Sequence, residues 1–130
     1  MAVADYITGV QHVGIPSIDL DKTIAFYKSI GFEQAGLFLN GKNRCAFMRL
    51  NNLTIETWEG DPTNPEAGAI NHVSLNTTDV DKAFAAAKEQ GLNLVDQEIQ
   101  SIPSFWDKGI RFFNILGPNH ETIEFCQILK

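Results

Sequence analysis

"QHVGIPSIDLDKTIAFYKSIGF", residues 11–32, is written a second time as "NHVSLNTTDVDKAFAAAKEQGL", residues 71–92. Laid together without a gap, His12 meets His72, Val13 meets Val73, and Asp19, Asp21 and Lys22 meet Asp79, Asp81 and Lys82. Ala25, Lys28 and Gly31 recur as well. Further on, "NNLTIETWE" (51–59) lies over "NHETIEFCQ" (119–127), so Thr54, Ile55 and Glu56 fall on Thr122, Ile123 and Glu124, and Gly41 falls on Gly109. The offset grows from 60 to 68, which reads as an eight-residue loop insertion in the second copy, most simply within "QSIPSFWDKG". An internal repeat dictates architecture before local propensity does. Halves of about 55–60 residues rarely supply a sufficient core alone, so the two are expected to pack on each other in a single domain over 1–130.

Each half reads as a strand, a helix and three further strands, an α+β arrangement of two βαβββ modules. "GVQHVGIP" suits a short strand, and Asp19 stands where a helix N-cap belongs. Leu20, Ile24, Tyr27 and Gly31 then step at helical spacing, with Gly31 placed to end the helix; Val80, Phe84, Ala87 and Gly91 repeat the pattern. "FEQAGLFL", "RCAFMRL" and "LTIETWE" alternate as sheet segments, as do "LNLVDQEI", "GIRFFNIL" and "ETIEFCQIL". The Pro- and Gly-rich "EGDPTNPEAG" reads as a surface link. Module one is set at 7–60, the link at 60–69 and module two at 70–130.

Composition narrows the function classes. The chain is 44% apolar and 20% charged, as a soluble globular domain is. Ten Lys and Arg against sixteen Asp and Glu leave a net charge of −6, which repels phosphate backbones and anionic lipid, so nucleic acid and membrane are not expected partners. No apolar run is long enough to cross a bilayer and "MAVADYITGV" lacks the form of a signal peptide, so the expected location is cytoplasmic. Two cysteines, Cys45 and Cys126, without a CxxC motif, read as reduced thiols.

Strand alternation selects the candidate site. Residues i and i+2 share a face, and a one-residue slip reverses it. Val13, Ile15, Val73 and Leu75 suit the helix-covered face, which leaves His12 and His72 opposite. Ile55 and Ile123 bury likewise and turn Glu56 and Glu124 to the open side. Two imidazoles and two carboxylates in repeat-equivalent positions suit one divalent ion of the Zn, Ni, Co, Fe or Mn group. Glu59 has the wrong parity and matches Gln127, while His120 sits in the "GPNHE" turn and is expected at the surface. Trp58 and Cys126 share parity with the two glutamates and are candidates to line the cavity. The "SIPSFWDKG" loop, with Phe105 and Trp106, reads as an apolar cover more readily than as a lid, and Arg44 and Arg111 are candidates to meet an anionic substrate.

At these residues the chain resembles the vicinal oxygen chelate superfamily, which includes glyoxalase I, bleomycin and fosfomycin resistance proteins, extradiol dioxygenases and methylmalonyl-CoA epimerase. "HVGIPSIDLDKTIAFYKSIGFE", "NHVSLNTTDVDKAFAAAKEQG" and "GPNHETIEFCQ" carry the resemblance, which covers nearly the whole chain. It implies a glyoxalase-like fold whose eight strands form an open cup around a divalent metal held by His12, Glu56, His72 and Glu124. It also implies a small-molecule substrate bound through two neighbouring oxygens, an enediolate stabilised beside the metal, and a glutamate as general base, Glu124 before Glu56. The full two-His, two-Glu set points to a lyase or isomerase. The alternatives are a non-haem dioxygenase and a non-catalytic drug-binding module of the bleomycin resistance type. A homodimer is expected, because the resembled family completes its cup by pairing modules within or between chains.

Enzymes similar to glutathione-dependent glyoxalase I carry an arginine shortly after the first histidine and an asparagine just past the fourth strand. This chain has Pro16 in the first stretch and Gly60 at the second position. The expected substrate is therefore other than the glutathione adduct. The hemithioacetal of methylglyoxal and glutathione should turn over poorly with Ni, Co, Zn or Fe present; kcat/KM of roughly 10⁶ M⁻¹s⁻¹ or above would overturn this.

Overall fold

Each copy's helix is delimited by residues that the repeat duplicates. The structure, a computed structural model, describes residues 2–6 and 8–130; residue 7, the expected start of module one, lies outside them. Helix α1 spans Leu20–Ser29 and α2 spans Val80–Glu89. At their N-termini Asp19 and Asp79 accept from the backbone N–H of Lys22 (3.2 Å) and Lys82 (3.1 Å), satisfying donors that a helix start leaves free. At their C-termini Gly31 and Gly91 take φ of +103° and +71°. The following N–H groups, of Phe32 and Leu92, bond back to Tyr27 and Ala87 at 2.9 and 3.0 Å, the six-to-one bond that closes such a helix end.

The chain divides into two compact units, Met1–Thr63 and Asn64–Lys130. In the first, a 3-10 turn at Val3–Tyr6 precedes β1 (Val13–Pro16), α1, β2 (Glu33–Asn40), β3 (Asn43–Leu50) and β4 (Leu53–Trp58), in the sheet order β1-β4-β3-β2. Strand β1 runs parallel to β4 and the other pairs are antiparallel. One face carries the core: Leu20 and Tyr27 of α1 and Phe32 are buried with Ala46, Met48 and Ile55 of the sheet. The second unit holds β5 (Val73–Asn76), α2, β6 (Asn93–Leu94), β7 (Gln100–Ile102), β8 (Ile110–Leu116) and β9 (Thr122–Ile128), in the order β5-β9-β8-β6 with β7 also on β8. Its buried set is the counterpart: Val80, Phe84 and Ala87 with Phe113, Ile115 and Ile123. The mixed α+β fold of two βαβββ modules follows the sequence pattern.

Pairing registers correct the placement of the insertion. Glu33 and Gln34 face Arg49 and Met48 as Asn93 and Leu94 face Leu116 and Ile115, so β6 keeps the offset of 60 while β8 stands 67 from β3. Phe38 faces Cys45 as Gln100 faces Phe112, which places β7 at 62. Arg49 faces Thr54 as Leu116 faces Thr122, restoring 68 at β9. The added residues are thus two between β6 and β7, five between β7 and β8, and one in the closing hairpin. Gly41 consequently is not the counterpart of Gly109, which precedes Ile110 as Lys42 precedes Asn43. Arg44 is the counterpart of Arg111.

The strand expected over "LNLVDQEI" is broken at Asp96. Its carboxylate accepts from the backbone N–H (2.7 Å) and side-chain amide (3.0 Å) of Asn114, taking the place of a strand partner while the chain bows out. Asp96→Ala should lower unfolding free energy by about 1.5–3 kcal/mol, with Asp96→Asn losing less, as read from urea midpoints at constant m-value. Equal, small losses in both variants would show that the carboxylate does not hold this bend.

Candidate metal centre

The parallel pairing of the first and last strand in each module sets the site. Val13 faces Ile55 and Gly14 faces Glu56, as Val73 faces Ile123 and Ser74 faces Glu124. Ile55 and Ile123 are buried against the helices, so Glu56 and Glu124 point to the other face. His12 and His72 stand one residue ahead of β1 and β5 rather than inside them. The structure brings His12 Nε2 to 3.6 Å from Glu56 Oε1, and His72 Nε2 to 3.8 Å from Glu124 Oε2.

Both separations are too long for a hydrogen bond. The other ring nitrogen explains the arrangement. Nδ1 of His12 donates to Gln11 Oε1, and Nδ1 of His72 donates to Asn71 Oδ1 at 2.9 Å; an amide oxygen only accepts, so these bonds put the proton on Nδ1. In its neutral form an imidazole held this way would turn the bare Nε2 lone pair toward a carboxylate oxygen. Two acceptors facing each other across 3.6–3.8 Å leave a gap that one cation with bonds of about 2.0–2.2 Å spans. The donor set therefore fits a divalent metal. Among the described residues no three His, Cys, Asp or Glu side chains gather to hold an ion, so each module by itself offers a pair of ligands.

The two pairs differ in surroundings. Glu56 Oε2 accepts from the Cys45 thiol at 3.6 Å, and burial, with the Glu56 charge added, pushes that thiol's pKa up and keeps it a donor. The Phe47 ring meets His12 edge-on at 5.8 Å. A cleft of about 450 Å³ opens here, lined by Glu56, Trp58, Asn40, Asn43, Glu59 and Asp61 among others. Trp58 lies across Gly14, where a Cβ would meet the indole at 3.1 Å, and its Nε1 donates to Asp61 at 2.7 Å. In module two the counterpart of Trp58 is Cys126, which is not among the residues lining the cavity beside Glu124. It is buried, with the Ser74 hydroxyl donating to its sulfur at 3.2 Å. Glu124 is the more sheltered carboxylate, its side chain 15% exposed against 27% for Glu56.

The remaining candidates have structural partners. Arg44 pairs with Asp21 (3.0 Å) and Glu59 (3.1 Å), and Arg111 pairs with Asp81 through two bonds of 2.8 and 2.9 Å. Each arginine joins the strand that precedes its module's last strand to the first turn of its helix, so neither is free for an anionic substrate. His120 is exposed in a turn at φ +62°. Two residues that touch the candidate histidines escaped the sequence reading, Gln11 and Asn71. The signal was present, since an amide side chain precedes the histidine in both copies.

The chain matches the family model described as Glyoxalase/Bleomycin resistance protein/Dioxygenase superfamily over residues 11–112. It is 29% identical over 125 residues to the "Uncharacterized protein YwbC" of Bacillus subtilis (strain 168), spanning 91% of this chain and 96% of that one. Among solved structures it is similar to a glyoxalase family protein from Enterococcus faecalis, with a TM-score of 0.76 at 19% identity over 93% of this chain and 98% of that one. It is also similar to the fosfomycin resistance protein FosX from Listeria monocytogenes complexed with Mn(II) and sulfate, with a TM-score of 0.73 at 20% identity over 95% and 94% of the chains. The two structures share the fold.

The arginine pairs predict an acid-side effect. Hydrogen bonds from Arg44 hold the Glu59 pKa below its ordinary 4.5, and those from Arg111 hold Asp81 below its ordinary 3.8. A depressed carboxylate contributes stability that is complete above its unfolded value and lost as pH falls through its native one. The Arg44→Met, Arg111→Met double variant should therefore show a shallower loss of stability than wild type from about pH 5 down to 2, measured by urea midpoints. Parallel pH profiles would count against these pairs.

Proposed function

Because the chain belongs to the glyoxalase/bleomycin resistance protein/dioxygenase superfamily, we propose that it is a metal-dependent lyase or isomerase acting on a small substrate with two neighbouring oxygens. The observation that carries this reading is the duplicated amide–histidine–carboxylate arrangement, in which Nδ1 is tied and Nε2 faces a glutamate at 3.6 and 3.8 Å. We assign His12, Glu56, His72 and Glu124 as the ligands of one divalent ion of the Zn, Ni, Co, Fe or Mn group. Bound there, the ion supplies Lewis acidity to the paired oxygens of the substrate.

The chain's own residues supply the rest. Gln11 and Asn71 hold the imidazoles in the tautomer that ligation needs. Cys45 anchors one oxygen of Glu56, which suits that carboxylate to a fixed ligand role. The counterpart of Cys45 is Phe112, so Glu124 has no such anchor and sits in apolar surroundings. Glu124 is accordingly the base: released from the ion, its carboxylate would take a proton from the carbinol carbon beside the substrate carbonyl and return it to the neighbouring carbon, while the hydroxyl proton passes between the two oxygens. Glutathione adducts remain poor candidates. At Gly60, where similar glutathione-dependent enzymes carry asparagine, φ is +102° and a Cβ would stand 2.4 Å from the Asn43 side chain. The active form is taken to be a homodimer, supported by edge strand β2, which leaves Phe38 and Leu39 61% and 72% exposed.

Elemental analysis coupled to light scattering at low micromolar concentration tests the assignment. The expected result is a dimer with one ion per chain, lost or reduced in His12→Ala, Glu56→Ala, His72→Ala and Glu124→Ala. Wild-type occupancy in all four variants would refute the ligand set, and a metal-holding monomer would refute the dimer.

A further inference from the structure

The module-two cavity differs from its counterpart in module one in a way the repeat makes measurable. It is a half-open cleft of about 410 Å³ beside His72 and Glu124, within the range of small-molecule sites. Its walls are Val95, Ile102, Phe105, Ile110 and Phe112. Ile102 and Ile110 form a cross-strand pair at the position that Asn40 and Asn43 occupy in module one, and Phe112 replaces Cys45. Phe105 has no counterpart, because it stands in the longer β7–β8 loop.

Charge and hydrogen bonding point the same way. Among the described residues no Lys or Arg lines this cavity, and Arg111 lies on the other face of β8 against Asp81. Of the polar lining groups, the Asn114 amide donates to Asp96 and Asn71 accepts from His72. The module-one cleft, by contrast, carries Glu59 and Asp61 besides Glu56, against Arg44 alone. An anionic tail is disfavoured there, and an apolar group is favoured beside Glu124.

The loop that presents Phe105 has a closed neck. The Phe105 N–H donates to the carbonyl of Ile102 at 3.3 Å, and Gly109, at φ +97°, lies so close to Pro103 that a Cβ would meet its Cα at 3.0 Å. Phe105 and Val95 nevertheless stay 50% and 49% exposed at the cavity. Apolar surface held open beside two metal-type donors is surface that a ligand group covers.

We propose, resting on the function assigned above, that the substrate carries an uncharged apolar group, aryl or branched alkyl, next to its two oxygens, and that Phe105 is the residue selecting it. The group packs between Phe105 and Phe112 while the oxygen pair faces His72 and Glu124. Trp106, at φ +56° and 69% exposed, is not among the cavity-lining residues.

Calorimetric titration of the metal-replete protein with benzohydroxamate and acetohydroxamate tests this, since the two share one chelating oxygen pair and differ in phenyl against methyl. Benzohydroxamate should bind about 30-fold tighter, the change expected from burying roughly 80 Å² more apolar area at ~25 cal/mol per Å². Phe105→Ala should cut that ratio to about 5-fold or less with the acetohydroxamate Kd unchanged, while Trp106→Ala keeps it. 4-Carboxybenzohydroxamate should bind more weakly than benzohydroxamate. Equal Kd values for the two hydroxamates in wild type, a ratio untouched by Phe105→Ala, or tighter binding of the carboxylated probe would overturn the proposal while leaving the metal reading standing. Failure of every hydroxamate to bind would overturn the metal reading, and this proposal with it.

Discussion

The parallel pairing of the first and last strand in each module is the constraint on which the site depends. Ile55 and Ile123 occupy the centre of their sheets under a helix, at 1% and 3% exposure, and that burial decides which way every neighbour on the strand points. Slipping either strand by one residue would carry a carboxylate under the helix and an isoleucine into water, a loss on both counts. The register that the core demands is thus the register that turns Glu56 and Glu124 outward. The partner strand then delivers a histidine from just beyond its start.

Around that shared frame the two copies have diverged where the core does not care. Both retain the Asp cap, the terminal glycine and the arginine that ties the next-to-last strand to the helix. The open faces differ: Asn40, Asn43, Glu59 and Asp61 line one cleft, while Ile102, Ile110, Phe112 and Phe105 line the other. Open-face positions are released from helix packing, so their polarity is available for ligand chemistry. The longer second copy supports the same conclusion, since its largest addition brings Phe105 to the cavity.

The proposed ligand role of the histidines rests on one neighbouring side chain in each copy. A side-chain amide one residue earlier fixes the proton on Nδ1, which aims a lone pair rather than an N–H at the nearby glutamate. Cys45 and Phe112 then give otherwise equivalent carboxylates unequal surroundings. That inequality divides the roles of fixed ligand and base in the proposed reaction.

Sequence alone determined the repeat, the α+β order of elements and, through strand parity, the four candidate ligands, because these depend on periodicities of two and 3.6 residues that a chain displays directly. The duplicated amide before each histidine was equally legible. Tertiary structure decided what depends on pairing between distant segments. Asp96 breaks the sixth strand because Asn114 lies beside it. The eight added residues divide as two, five and one because cross-strand partners, not sequence identity, define equivalence. Arg44 and Arg111 are held by Asp21 and Asp81, from 23 and 30 residues away. Cys126 shares the parity of Glu124 yet is buried, since parity assigns a face while the packing on that face assigns exposure, and packing is set by side chains brought together only when the sheet forms.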